Sequence, residues 1–255
     1  MCLILFAWQA HPDYPLVVAA NRDEWRERPS APAVWWYDAP DILAGRDLEA
    51  GGTWLGVTRS GRFAAITNFR DPSDRKSTAP SRGQLVADYL RGHATPHDYL
   101  AALAENAARY NGFNLLLADA NSMCYFGSRE GTVIDVAPGI HGLSNHLLDE
   151  PWPKVEKGKL ALGAAFQGKM SEDALLERSF YFLSDTSSVA DSALPNTGVG
   201  LEWERVLSPA LIIADKYGTR NSTVLLRGAR EIVFEERTRG EAGDVTATHR
   251  YRFAI

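Results

Sequence analysis

CLILFAWQAHPDYPLVVAANRDE, residues 2–24, holds two apolar runs on either side of a short polar stretch. Residues 2–8 are apolar throughout, residues 15–20 (PLVVAA) form the second run, and His11, Pro12 and Asp13 lie between them. Runs of this length bounded by turn formers predict two strands joined by a polar turn. Further along, 53–58 and 63–68 predict a hairpin, because Arg59-Ser60-Gly61 separates them. Leu85, Val86, Tyr89 and Leu90 fall at helical spacing, as do Leu100, Leu103, Ala104 and Ala107. Segments 115–119, 123–126 and 132–136 read as a meander, with Gly127 opening its second turn. A second helical pair follows over 155–166 and 172–183, and strands over 223–226, 232–235 and 245–253 end the pattern.

The order is strands, helices, strands, helices, strands. Hairpins dominate and single strands do not alternate with helices, which argues against a doubly wound parallel sheet. The expectation is an α+β fold: a four-layer αββα sandwich of two mainly antiparallel sheets, with the first strand central and its start opening into a cleft. With 255 residues and no composition break, the chain reads as a single domain over 1–255.

Composition narrows the class. Hydrophobic residues make up 45% and charged residues 23%, ordinary values for a soluble globular protein. A net charge of −5 and the lack of a basic run argue against a nucleic-acid partner. Two cysteines, Cys2 and Cys124, give neither a disulfide framework nor a four-ligand zinc site, and suit a reducing compartment. No stretch approaches the ~20 apolar residues of a membrane span, and no basic segment precedes the first apolar run. The expected location is the cytoplasm.

Cys2 follows Met1 directly. Removal of Met1 leaves a residue bearing both a thiol and a free α-amine, whose reference pKa values lie within about one unit of each other. One residue then supplies nucleophile and base. Asn21-Arg22-Asp23-Glu24 follows the second apolar run, and pairing of the first two strands brings these residues near Cys2. There Arg22 can favour a thiolate and Asp23 can orient the α-amine. Asn68 and Asn145 each end a short apolar segment, as oxyanion donors would, although each also reads as a turn residue or cap. Arg220 precedes another strand, and Cys124 reads as core.

These residues resemble a family. Cys2, Asn21–Glu24, Ala44-Gly45-Arg46-Asp47, Gly51-Gly52-Thr53-Trp54-Leu55-Gly56, Thr67-Asn68, Gly142-Leu143-Ser144-Asn145, Pro151-Trp152-Pro153-Lys154 and Tyr217-Gly218-Thr219-Arg220 look like the NRDE family, also called the transport and Golgi organisation protein 2 family. That family is similar to the cholylglycine hydrolase and penicillin V acylase branch of N-terminal-nucleophile hydrolases. The resemblance implies Cys2, Arg22, Asp23, Asn68, Asn145 and Arg220 as catalytic residues. Asn21, Glu24, Trp54 and His146 are taken as substrate-binding candidates. In one respect the chain departs from those acylases: its arginine and aspartate are adjacent, and adjacent strand residues point to opposite faces unless a bulge or turn intervenes.

Two functions compete. The first is hydrolysis of a non-peptide C–N amide bond through an acyl group on Cys2, needing neither metal nor cofactor. The second, which the resemblance also implies, is a non-catalytic intracellular carrier of haem, acyl-CoA or lipid. Haem would then be cargo, with Cys2, His11 or His146 as axial ligands, although a histidine in a polar turn also reads as a solvated surface residue. Trp8, Trp35, Trp36 and Trp54 suit either the wall of a flat-ligand cleft or the core.

Overall fold

The two opening runs form the strands expected of them, β1 (Cys2–Trp8) and β2 (Leu16–Trp25), in a computed structural model that describes residues 2–74, 76–168 and 170–255. Four strands follow: β3 (Ser30–Trp36), β4 (Ala39–Asp47), β5 (Leu55–Thr58) and β6 (Phe63–Asn68). Next come helices α1 (Gly83–Arg91) and α2 (Pro96–Ala104), then β7 (Phe113–Ala118), β8 (Met123–Gly127), β9 (Val133–Asp135) and β10 (Gly139–Leu143). Helices α3 (Pro153–Ala165), α4 (Glu172–Leu183) and α5 (Leu201–Val206) precede β11 (Tyr217–Arg227), β12 (Glu231–Arg239) and β13 (Val245–Ala254). The chain divides into two compact units. One holds the stretch up to Glu27 with Pro138–Ser144 and Leu148–Arg252, the other Arg28–Ala137, Asn145–Leu147 and Phe253–Ile255.

The first unit is built on a 6-stranded sheet of order β10-β1-β2-β11-β12-β13, so β1 lies inside the sheet. Strand alternation puts Leu3, Leu5 and Ala7 of β1 on one face with Val17 and Ala19 of β2 and Val224 and Leu226 of β11. That face packs against Val155 and Leu162 of α3 and Leu176 and Phe180 of α4. The alternate residues Ile4, Phe6, Val18 and Ala20 are buried as well. Helix α4 starts at Ser171, whose side chain accepts from the Ala174 N–H at 3.2 Å. Pro153 opens α3 at its first position, where no N–H is needed. Gly158 lets α3 approach β1 closely: a Cβ there would lie 2.5 Å from Leu5 Cδ1.

A 7-stranded sheet, β3-β4-β5-β6-β7-β8-β9, forms the second unit. Ile42, Ala44, Ala64, Ile66, Leu115 and Leu117 share a core with Leu85, Val86 and Tyr89 of α1 and Leu100 and Leu103 of α2. The motif glycines here serve packing. A Cβ on Gly45 would strike the Trp54 indole, and one on Gly52 would lie 2.6 Å from the Gly83 carbonyl oxygen.

Two antiparallel sheets, each with a helix pair on one face, match the α+β expectation. Strands β3, β4 and β10 and helix α5 were not legible in the sequence. Register shifts between Ala31 and Val34 and between Trp35 and Trp36 break the alternation of the β3–β4 pair. Strand β10 carries Gly139 and Gly142 and finds its partner in the distant β1. Strand β2 runs on through Asn21–Glu24, because β11 pairs with it from Leu16 to Trp25. Among the described residues, no helix is long and apolar enough to cross a membrane.

Candidate functional site

Cys2 is the first residue of β1 and stands directly opposite Arg22 of β2, which in turn stands opposite Asn221 of β11. Cys2 and Arg22 therefore share a sheet face, and alternation sends Asn21 and Asp23 to the other. Asn21 Nδ2 donates to the carbonyl oxygens of Leu183 and Ala210, both at 2.8 Å, and ties β2 to the end of α4. Asp23 Oδ1 accepts from Thr219 Oγ1 at 2.7 Å, and Thr219 Oγ1 accepts from the Ile212 N–H at 2.9 Å. The β1–β2 register is unbroken from Leu16 to Arg22 and ends there, and the shift in the β2–β11 pair opposite Arg22 and Asp23 carries its extra residue on β11, not on β2. The adjacent arginine and aspartate are thus divided between the faces.

A bulge lies on the neighbouring strand. The β2–β11 register shifts between Thr219 and Asn221, making Arg220 the extra residue. Its Nη1 donates to the carbonyl oxygens of Trp25 (3.1 Å) and Arg26 (2.9 Å). Burial lowers the Arg220 pKa, the neighbouring Arg22 and Arg26 charges add to this, and Glu24 opposes it. Arg22 Nη2 lies 3.6 Å from Glu24 Oε2. Arg220 thus falls within a strand, where the sequence placed it just ahead of one.

The Cys2 side chain is 9% exposed, and its carbonyl oxygen accepts from Ser144 Oγ at 3.2 Å. Burial pushes the thiol pKa up and the Asp23 charge adds to that. The Arg22 charge and a hydrogen bond from the Asp23 backbone N–H pull the other way. Burial prevails, so the thiol is held neutral at neutral pH. The α-amine that loss of Met1 releases is the Cys2 backbone nitrogen, and Met1 itself lies outside the described residues. Cys124 is core, as expected; its thiol is pushed up to about 12 by burial and by Asp135, whose Oδ1 lies 3.2 Å from Sγ.

Trp54, Asn68, Asn145 and His146 belong to the second unit. Asn145 is fully buried, with its Nδ2 donating to the Asn68 carbonyl oxygen at 2.9 Å and its own carbonyl accepting from the Arg70 N–H at 2.7 Å. The His146 ring tilts against Phe69 at 4.9 Å. Asn114 Nδ2 donates to the His146 carbonyl at 2.8 Å, and Tyr125 donates to Asn114 Oδ1 at 2.8 Å. His11 Nδ1 accepts from the Asp13 and Tyr14 N–H groups at 3.1 and 3.3 Å, a turn-capping role. Among the described residues, no group of three or more His, Cys, Asp or Glu side chains could hold a metal ion.

Thr219, Ser144 and Asn114 went unrecognised as members of these networks. Thr219 and Ser144 each stand beside a residue that was singled out, Arg220 and Asn145. Asn114 lies inside an apolar strand, and its polarity was the available signal.

The fold is that of the N-terminal-nucleophile hydrolases. The structure is similar to that of a mutant conjugated bile acid hydrolase from Clostridium perfringens, with a TM-score of 0.51 and 8% sequence identity, covering 98% of this chain and 92% of that one. The model of the Transport and Golgi organisation 2 family matches residues 1–241. The chain is 36% identical to the Transport and Golgi organization protein 2 homolog of Bos taurus, covering 99% of each. With the human homolog it shares 35% identity over 93% of each, and with Transport and Golgi organization protein 2 of Drosophila melanogaster 30%, over 93% of this chain and 92% of that one. The chain belongs to the Transport and Golgi organisation 2 family.

Proposed function

We propose that this protein hydrolyses a non-peptide C–N amide bond, with Cys2 as nucleophile once Met1 has been removed. The observation that carries the reading is the strand-end arrangement of Cys2. The residue sits in register with Arg22, and its thiol meets the Asp23 backbone N–H. Burial keeps the thiol neutral, so attack needs a proton acceptor, which the α-amine of the same residue supplies. The sulfur attacks the amide carbonyl carbon as the α-amine takes the thiol proton. The tetrahedral intermediate then collapses with loss of the amine, which receives that proton, and leaves an S-acyl group on Cys2. The Cys2 α-amine then deprotonates water, whose oxygen attacks the thioester carbonyl; collapse breaks the C–S bond, the thiolate recovers the proton from the α-ammonium, and the carboxylic acid is released. Arg22 favours the developing thiolate, and the Asp23 carboxylate orients the ammonium. Asn68 and Asn145 stay in the proposal as the amide donors that the resemblance names, and Arg220 as the late arginine. Asn21, Glu24, Trp54 and His146 stay in it as substrate-binding residues.

A panel of N-acyl amides tests the reading. The chain lacking Met1 should turn over at least one member, and Cys2→Ser should lower kcat by on the order of 10⁴-fold or more with KM nearly unchanged. The runner-up is carriage of haem, acyl-CoA or lipid. No turnover across the panel with Met1 absent, together with saturable haem binding and a shifted Soret band, would overturn hydrolysis in its favour.

A further inference from the structure

Thr219 stands directly opposite Asp23 in the β2–β11 pair, and both are 1% exposed. Its hydroxyl has one proton and two lone pairs. The Ile212 N–H takes a lone pair at 2.9 Å, while the Thr219 N–H donates to the Ile212 carbonyl at 2.9 Å. Both Thr219 groups are thereby clamped by one peptide segment, and the hydroxyl proton is left to Asp23 Oδ1 at 2.7 Å. That separation lies at the upper end of the range expected for an O–H donating to a carboxylate.

We infer that Thr219 is a positioning residue for the Cys2 site: clamped by Ile212, its hydroxyl acts as a fixed donor that holds the Asp23 side chain in its charged form and on its own face of the sheet. The inference rests on the reading of Cys2 as nucleophile and goes beyond it by assigning what keeps Asp23 in place. Asp23 is joined to Cys2 by its own backbone, because its N–H meets the thiol. A change in its side-chain orientation or charge is therefore felt at sulfur. By alternation the Asp23 side chain lies on the face of the sheet opposite to that of Arg22, the face where Thr219 meets it. The other charges around the pair are Arg22 and Glu24 on β2, Arg26 just after it, and Arg220 on β11. Arg239 of β12 bonds Ser222 nearby, at 3.0 Å. A valine at 219 would keep the shape of the residue and leave Asp23 Oδ1 and the Ile212 N–H without this hydroxyl.

The test is the pH dependence of iodoacetamide alkylation at Cys2 in the full chain, followed by peptide mass spectrometry. The parent is compared with Thr219→Val, Thr219→Ser, Asp23→Asn and the Thr219→Val/Asp23→Asn double variant, with Thr219→Ala replacing valine if that variant does not fold. Loss of the carboxylate removes a charge that disfavours thiolate, so Asp23→Asn should move the midpoint to lower pH, by about one unit. Thr219→Val should move it the same way, the double variant should go no further than Asp23→Asn alone, and Thr219→Ser should keep the parent midpoint. Additive shifts, or a serine variant behaving like valine, would overturn the inference while leaving the nucleophile in place. A parent chain whose Cys2 iodoacetamide leaves unlabelled overturns the nucleophile reading, and this one with it.

Discussion

At the residue scale the site is a contest between burial and charge at one sulfur atom. Burial raises the Cys2 pKa, and Arg22, one strand away in register, works against it. Arg22→Met should therefore slow alkylation of Cys2 at pH 7 by roughly tenfold, the effect of about one pKa unit. The measurement is the initial labelling rate by peptide mass spectrometry. An unchanged rate would mean that the guanidinium does not bear on the thiol. Cys2 and Arg22 were legible because a motif and a strand pairing pointed to them. The donor to Asp23 was not, since it comes from a residue 196 positions away in the chain.

At the scale of the element, the division of Arg22 from Asp23 and the bulge at Arg220 both follow from strand geometry. Alternation separates neighbours, and one extra residue in β11 shifts the side chains that follow it by one position. The strands with continuous apolar runs were legible for the same reason that they are buried. Strands β3 and β4 were not, because their irregular register breaks the alternation that a sequence displays. Asn21–Glu24 is polar throughout, yet β11 supplies hydrogen-bonding partners that keep it extended. Helix α3 depends on close approach to β1 at Gly158, where a Cβ would lie 2.5 Å from Leu5 Cδ1 and 2.9 Å from the Phe182 ring. Gly158→Ala gains about 1 kcal/mol of helix propensity and incurs roughly 1–3 kcal/mol of overpacking. The net expectation is a lower urea midpoint with an unchanged m-value. A higher midpoint would show that α3 can move away from β1 at little expense.

For the whole molecule, the α+β class with its two antiparallel sheets was readable from the order of hairpins and helix pairs. The family was readable from motifs spread along the chain, and the match over residues 1–241 bears that out. What the sequence alone could not supply is the sheet order. The β10-β1-β2-β11 arrangement unites segments more than a hundred residues apart, and no local pattern encodes such pairing. The central claim is that the chain becomes a nucleophile at Cys2 by losing Met1. Intact mass of the purified chain, before and after brief iodoacetamide treatment at neutral pH, tests this directly. The account predicts a mass lacking Met1 and a single adduct that maps to Cys2, with Cys124 unmodified, since the α-amine assists the first thiol while burial and Asp135 hold the second protonated. A chain that keeps Met1, or one that labels Cys124 as readily as Cys2, would contradict it.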